Sequence, residues 1–173
     1  HGPRAFPATG ADSVHSRAHA AAMTTALLWF RRDLRLADNT ALAQALATVD
    51  RLVPVYIHAP EEDGDWAPGA ASRWWLHHSL AALSEALARR GSRLILRRGP
   101  SLEALRNLIR ATGAGLVCFN RLYEPARLAR DRAIEQALAA GGVRVFTGTG
   151  HLLAEPWAVN SRSGTPYRVY TPY

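Results

Sequence analysis

At 173 residues, the chain has room for one domain with its own core and too little for two of ordinary size. Its hydrophobic share of 48% and charged share of 20% suit a globular protein, and no apolar run nears the roughly 20 residues of a membrane span. The formal charge of +7 comes from 21 basic residues, all arginine, which excludes a Walker-type phosphate lysine and lysine Schiff-base chemistry. The excess has two candidate sources: an anionic partner such as nucleic acid, or a bias toward arginine in the coding sequence.

Residues 1–22, "HGPRAFPATGADSVHSRAHAAA", are rich in Ala, Pro and His, lack hydrophobic periodicity and precede the single methionine, Met23. They read as a disordered leader or an upstream extension, with the domain starting at Met23. Scarce acids leave a transit peptide open, and the missing apolar core argues against export. From Met23 onward two patterns alternate. Short apolar runs of strand character occupy Ala26–Phe30, Arg51–Ala59, Arg93–Arg97, Gly115–Asn120 and Val143–Thr147. Helical spacing separates them: Leu42, Ala45, Leu46 and Val49; then Leu76, Leu80, Leu83 and Leu87; then Leu102, Leu105 and Ile109; then Ala133, Ile134, Ala137 and Leu138.

Asp38 and Ser101 stand where helix N-caps are expected. Pro125 suits a first helical turn, and Gly91, Gly113 and Gly141-Gly142 fall just past helix ends. Five strands alternating with four helices predict a doubly wound, Rossmann-like parallel sheet with helices on both faces, strand order 3-2-1-4-5 and right-handed crossovers. Ligands in such sheets bind beyond the carboxyl ends of the strands, where the winding reverses. That rule selects two polar loops, Arg31–Leu36 and Asn120–Pro125. The first is unusual, because "WFRRDLRLADN" puts three arginines and no glycine where a phosphate-binding turn would stand. Beyond Thr147 the alternation ends, and residues 149–173 read as the start of a connector.

The lone cysteine, Cys118, lies in the apolar run "GLVCFN" and reads as a core residue. With no disulfide available within the chain, a reducing, cytoplasmic setting is expected.

"LLWFRRDLRLADNTAL" resembles the amino-terminal signature of the DNA photolyase/cryptochrome family. "VPVYIHAP", "GAASRWWLHHSLAALSEAL", "FNRLYEPARLARD" and "GTPYRVYTPY" continue the likeness in order from Met23 to Tyr173. The resemblance implies that residues 23–148 are an α/β antenna domain and that 149–173 lead toward an interdomain linker. It further implies that FAD, the lesion site and the electron-transfer tryptophans belong to a helical domain outside these residues. The implied function is light harvesting for a deoxyribodipyrimidine photolyase, a DNA repair lyase. An antenna chromophore, a folate such as methenyltetrahydrofolate or a deazaflavin, would pass excitation to FAD. A cryptochrome photoreceptor is the alternative on the same scaffold. The implied partners are damaged DNA, mainly through the helical domain, and the antenna molecule, with no membrane and a monomeric full-length protein.

By the same resemblance Glu124, in "NRLYEP", matches the family glutamate that holds a folate. Its carboxylate suits the paired N–H donors of a pterin, although a helix-start acid favoured by the dipole would look the same. Asn120 and Tyr123 share its loop. Arg31 and Arg32 are expected at the crevice, contacting an antenna or a docked domain, while Asp33 is expected to pair with a neighbouring arginine. Trp74 and Trp75 point about 100° apart on a helix and are expected to serve core packing. His77 and His78 do not share a face, so no zinc site is expected. A stand-alone nucleotide-binding module is disfavoured because the first turn lacks the glycines that a close phosphate needs.

Overall fold

The computed structural model describes residues 24–150, 152, 154–156, 158–160, 164 and 165. The expectations for 1–22, and for most of the chain beyond 150, lie outside the described residues. The elements run β1 (Thr25–Phe30), α1 (Thr40–Thr48), β2 (Arg51–His58), a 3-10 segment (Pro60–Trp66), α2 (Ala70–Ala88), β3 (Ile95–Arg98), α3 (Ser101–Thr112), β4 (Leu116–Asn120), α4 (Pro125–Ala140) and β5 (Arg144–Gly148). The five strands form one parallel sheet in the order β3-β2-β1-β4-β5, as the alternation predicts.

Every residue of β1 is buried, because this strand lies mid-sheet with helices on both sides. Its alternate residues feed two cores. Leu27 and Trp29 join Val55, Val117, Phe119 and the apolar faces of α3 and α4. Ala26, Leu28 and Phe30 join Cys118 and the inner faces of α1 and α2. The crossing of α3 from one edge of the sheet to the middle is what reverses the winding between β1 and β4.

Several local expectations shift. The cap of α1 is Asn39, whose side chain accepts from Leu42 N at 3.0 Å; Asp38 instead takes a positive φ of 49° and offers its carbonyl to the Arg35 guanidinium. Ser101 is the first residue of α3 rather than its cap. Its N–H and hydroxyl both donate to Glu62, at 2.6 and 2.7 Å, so a carboxylate from the 3-10 segment meets the positive end of the helix. Pro125 opens α4, and Gly113 closes α3 in the left-handed conformation with φ of 68°. Leu46 is 64% exposed, since the short α1 buries only Ala41 and Ala45.

The larger correction concerns α2. Only Leu83 and Leu87, in its second half, are buried. The first half projects past the carboxyl ends of the strands, leaving Trp74 and Trp75 at 61% and 69% exposure. They do not pack into the core, because no sheet lies beneath that half of the helix.

Candidate functional site

The charged turn after β1 is built inward. Arg31 is only 7% exposed. Its guanidinium donates to Asp131 on α4 and to the Asn120 carbonyl at the end of β4. It sits 4.8 Å from the Trp29 ring centre and 4.5 Å from that of Phe119, within cation–π range. Burial lowers the Arg31 pKa below its ordinary value, and the Asp131 carboxylate opposes that shift. The sequence supports this arrangement: alternation along β1 puts Trp29 and Arg31 on the α4 side, where Asp131 waits one helical face away.

Asp33 does not take an arginine fork. Its carboxylate accepts from the Arg31 N–H at 3.0 Å, from Asn39 Nδ2 at 3.3 Å and from Asn120 Nδ2 at 2.6 Å. Amides replace the expected guanidinium because the neighbouring arginines are aimed elsewhere.

Asn120 is the hub of the switch point. Its Nδ2 donates to Asp33 and to Asn39 Oδ1, and its Oδ1 accepts from Ala41 N at 3.0 Å and the Thr40 hydroxyl at 2.6 Å. A primary amide has two donor hydrogens and two acceptor lone pairs, so this side chain is saturated. Gly148, on β5, leaves the room for it: a β-carbon there would strike Asn120 Oδ1, Thr40 Oγ1 and Ala41 N. The N-terminus of α1, where a nucleotide fold would hold phosphate, is therefore filled by the protein's own amide. With Asn120 occupying that helix end, the turn has no need of the glycines that a close phosphate requires.

Arg32 leaves the turn toward solvent and pairs with Glu124, both half exposed. Glu124 is the residue before α4 but makes no side-chain cap bond to it. Tyr123 accepts from Gly150 N at 3.4 Å, and burial raises its phenol pKa. The structure thus brings Arg31, Arg32, Asn120 and Glu124 to one place, with Tyr123 tying the same loop to the chain beyond β5.

The open space lies beside this hub. A cleft of about 990 Å³ runs over the carboxyl ends of the strands, between the overhanging half of α2 and the start of α4. Trp29, Tyr56 and Trp75 give it aromatic walls, and Arg31, Arg32 and Arg35 give it a basic border. Asn120, Tyr123 and Glu124 are not among its lining residues. Arg31 Nε is buried without a hydrogen-bond partner. The floor is a run of alternating charges. Asp131 accepts from Arg130 at 2.8 Å, Arg130 donates on to Glu62 at 3.2 Å, and Arg127 pairs with Asp63 at 2.7 Å.

Sequence reasoning passed over Asp131, Arg130, Arg127, Glu62 and Asp63. The spacing of Arg127, Arg130 and Asp131 on one face of α4, together with the acidic "EEDGD" loop, was the available signal. Cys118 is fully buried, with its pKa raised to about 11 by desolvation. His77 and His78 meet edge to face, and no metal-binding group of three ligands exists among the described residues. No helix among them is long and apolar enough to cross a membrane.

A family model described as DNA photolyase matches residues 26–173. A deoxyribodipyrimidine photo-lyase from Agrobacterium fabrum is 47% identical over 147 residues, covering 85% of this chain and 30% of that protein. Cryptochrome-2 of Arabidopsis thaliana is 43% identical over 148 residues, covering 85% of this chain and 24% of that protein. Among solved structures, a bacterial class III photolyase from Agrobacterium tumefaciens superposes with a TM-score of 0.81 at 45% identity, covering 91% of this chain and 32% of that one. An archaeal photolyase from Sulfolobus tokodaii, solved with two FAD molecules and described as implying a novel light-harvesting cofactor, gives 0.72 at 27% identity, covering 80% of this chain and 32% of that one. The chain spans about a third or less of the length of these relatives.

Proposed function

Since the chain belongs to the DNA photolyase family, we propose that its α/β layer, residues 23–148, is the light-harvesting part of a deoxyribodipyrimidine photolyase. The bound antenna would absorb light and hand excitation to FAD, which drives repair of pyrimidine dimers in DNA. The observation that carries this reading is the cleft. Its volume of about 990 Å³ lies at the upper end of the range for small-molecule sites, roughly 300–1,000 Å³, and it opens over the carboxyl ends of β1 and β2, beside the filled point where the winding reverses rather than at it.

The residues present fit a planar, anionic chromophore. Tyr56 and Trp75 offer ring faces for stacking. The Arg31 guanidinium, held by Asp131 and the Asn120 carbonyl, contributes positive charge at the inner end of the cleft. Arg32 and Arg35 at the border suit a negatively charged tail, whether the glutamate of a folate or the side chain of a deazaflavin. Glu124 reaches this border through Arg32. It would grip a pterin only by releasing that guanidinium, so for a folate the two residues form one exchangeable pair. Asn120 and Tyr123 act one step behind, by fixing the loop that carries Glu124.

Titration of the 173-residue chain with methenyltetrahydrofolate and, separately, with a deazaflavin tests the reading by near-ultraviolet absorbance and fluorescence. One of them should bind with one molecule per chain, and Ser79→Trp, which fills the cleft from α2, should abolish it. Equal binding by wild type and Ser79→Trp would sink the proposal. If the ligand is the folate, Glu124→Gln weakens it about tenfold, the loss of one charge-assisted pair; unchanged affinity removes Glu124 from the site. The 43% identity to a cryptochrome supports a second reading, a blue-light photoreceptor. Light-driven dimer cleavage by the FAD-containing protein separates the two.

A further inference from the structure

Two groups of arginines stand out among the described residues. Arg31, Arg32, Arg35, Arg121, Arg127 and Arg130, around the cleft and its neighbouring loops, each have a carboxylate in ion-pair reach. The stretch from Arg89 to Arg110 is different. It holds seven arginines against one acid, Glu103, and so carries six of the chain's seven net positive charges. All seven are exposed. Among the described residues only Arg89 has an acidic partner there, Glu85, at 3.9 Å across solvent.

These charges are organised along one side of the fold. Arg97 and Arg98 end β3, the edge strand, which pairs with β2 and leaves its other side open. Arg93 precedes that strand. The Arg97 guanidinium folds back to the Leu96 carbonyl at 2.8 Å, which places it on the strand itself. Arg89 and Arg90 stand at the C-terminus of α2, where they also complement the helix dipole. Arg106 and Arg110 lie on the exposed face of α3, which packs against β3. One or two charges would suffice to keep a short edge strand from pairing with another copy. Seven, six of them without an acidic partner among the described residues, repel each other and require a different account.

We propose that this β3 edge is a landing surface for the phosphate backbone of duplex DNA, contacted without regard to sequence. The proposal does not rest on any chromophore occupying the cleft, which lies at the ends of the strands rather than along the sheet's edge. From Arg93 to Arg98 the chain covers about 17 Å at roughly 3.3 Å per residue, and that length of duplex presents about ten phosphate charges. A membrane surface fits less well, because Leu96 is the only large exposed hydrophobic of the stretch and an inserting face needs several. An irregular acidic protein lacks the even linear charge that a strand edge would match.

The test is fluorescence anisotropy of a labelled, undamaged duplex of about 20 base pairs, titrated with the 173-residue chain at salt from about 50 to about 200 mM. Arg97→Gln/Arg98→Gln should weaken binding at least about tenfold at the low-salt end and lower the log–log salt slope by about 1.8, near 0.9 for each lost phosphate contact. Arg132→Gln/Arg144→Gln removes two exposed arginines from the opposite, β5 side and should leave affinity within about twofold, the bulk-charge contribution alone. All four substitutions are at exposed positions, and matching circular dichroism and melting curves confirm intact folding. Equal losses in the two double variants, or no binding to duplex by the unaltered chain at about 50 mM salt, overturn the proposal. Tighter binding to polyglutamate or to phosphatidylserine vesicles than to duplex, with the same dependence on Arg97 and Arg98, overturns DNA as the occupant.

Discussion

Replacing Asp131 by alanine removes the carboxylate that two guanidiniums share. Asp131 is 4% exposed and Arg31 is 7% exposed, so solvent does not take over the lost role. Arg31 keeps one bond to the Asn120 carbonyl, and its positive charge stays between two aromatic rings. Breaking a buried pair from one side costs about 3–5 kcal/mol, against a total of about 5–15 kcal/mol for a domain. At a urea sensitivity of about 2 kcal/mol per molar, the midpoint of unfolding moves down by about 2 M with an unchanged slope. The double variant Arg31→Met/Asp131→Leu replaces the pair by apolar groups of similar bulk and should regain most of that loss. Tryptophan fluorescence and circular dichroism in urea measure both. A midpoint shift below about 0.5 M for Asp131→Ala, or a double variant no more stable than the single one, would refute the claim that the Arg31 charge is held by this carboxylate.

Other outcomes follow from the same geometry. Asn120→Ala strands Ala41 N and leaves Asp33 Oδ2 with only the 3.3 Å bond from Asn39, and should cost about 1–3 kcal/mol in the same assay, the penalty of one buried group left unsatisfied; a loss below about 0.5 kcal/mol with the fold intact would show that water replaces the amide. Gly148→Ala pushes a methyl into that amide and should destabilise by about 1–3 kcal/mol, whereas the Asn120→Ala/Gly148→Ala pair should lose less than the sum, because the first change vacates the space that the second fills. Cys118, with its thiol at about 11, is only about 0.1% thiolate at pH 8 and buried besides. Its reaction with a soluble disulfide reagent should therefore follow unfolding and show no dependence on reagent concentration; fast labelling of the native chain contradicts its core placement.

The fold was legible because hydrophobic runs and helical spacing alternate without interruption: each of the five predicted strands lies within two residues of its expected limits, and each of the four segments of helical spacing falls on a helix, although α2 begins at Ala70, well before the first periodic residue Leu76. What periodicity could not tell was where a helix outruns the sheet. Trp74 and Trp75 have the hydrophobicity of core residues, and only the position of β2 and β3 beneath α2 decides that they are exposed. Caps were misplaced by one residue for a comparable reason. Asp38 and Asn39 are equivalent to a propensity argument, and Ser101 is served by Glu62, some forty positions earlier. The site was half legible: the two loops at the switch point were identified from topology alone. Asn120, grouped with ligand-binding residues, proves to be fully occupied by the protein, while the walls of the cleft come from Trp29, Tyr56 and α2. Long-range pairs such as Arg31 with Asp131 leave no local trace, because each partner alone looks like an ordinary charged residue.

The Asn120 hub also bears on how the chain is made. Of the five strands β1 leaves the ribosome first, apolar from Ala26 to Phe30 and destined for mid-sheet, yet its neighbour β4 and the residue that anchors its exit turn arrive about ninety positions later. Until then one flank of that ribbon is bare. Such delayed closure is the circumstance in which nascent chains stick to each other or to chaperones. The last strand to emerge, ending in a residue without a side chain, is the keystone that lets the oldest one lock.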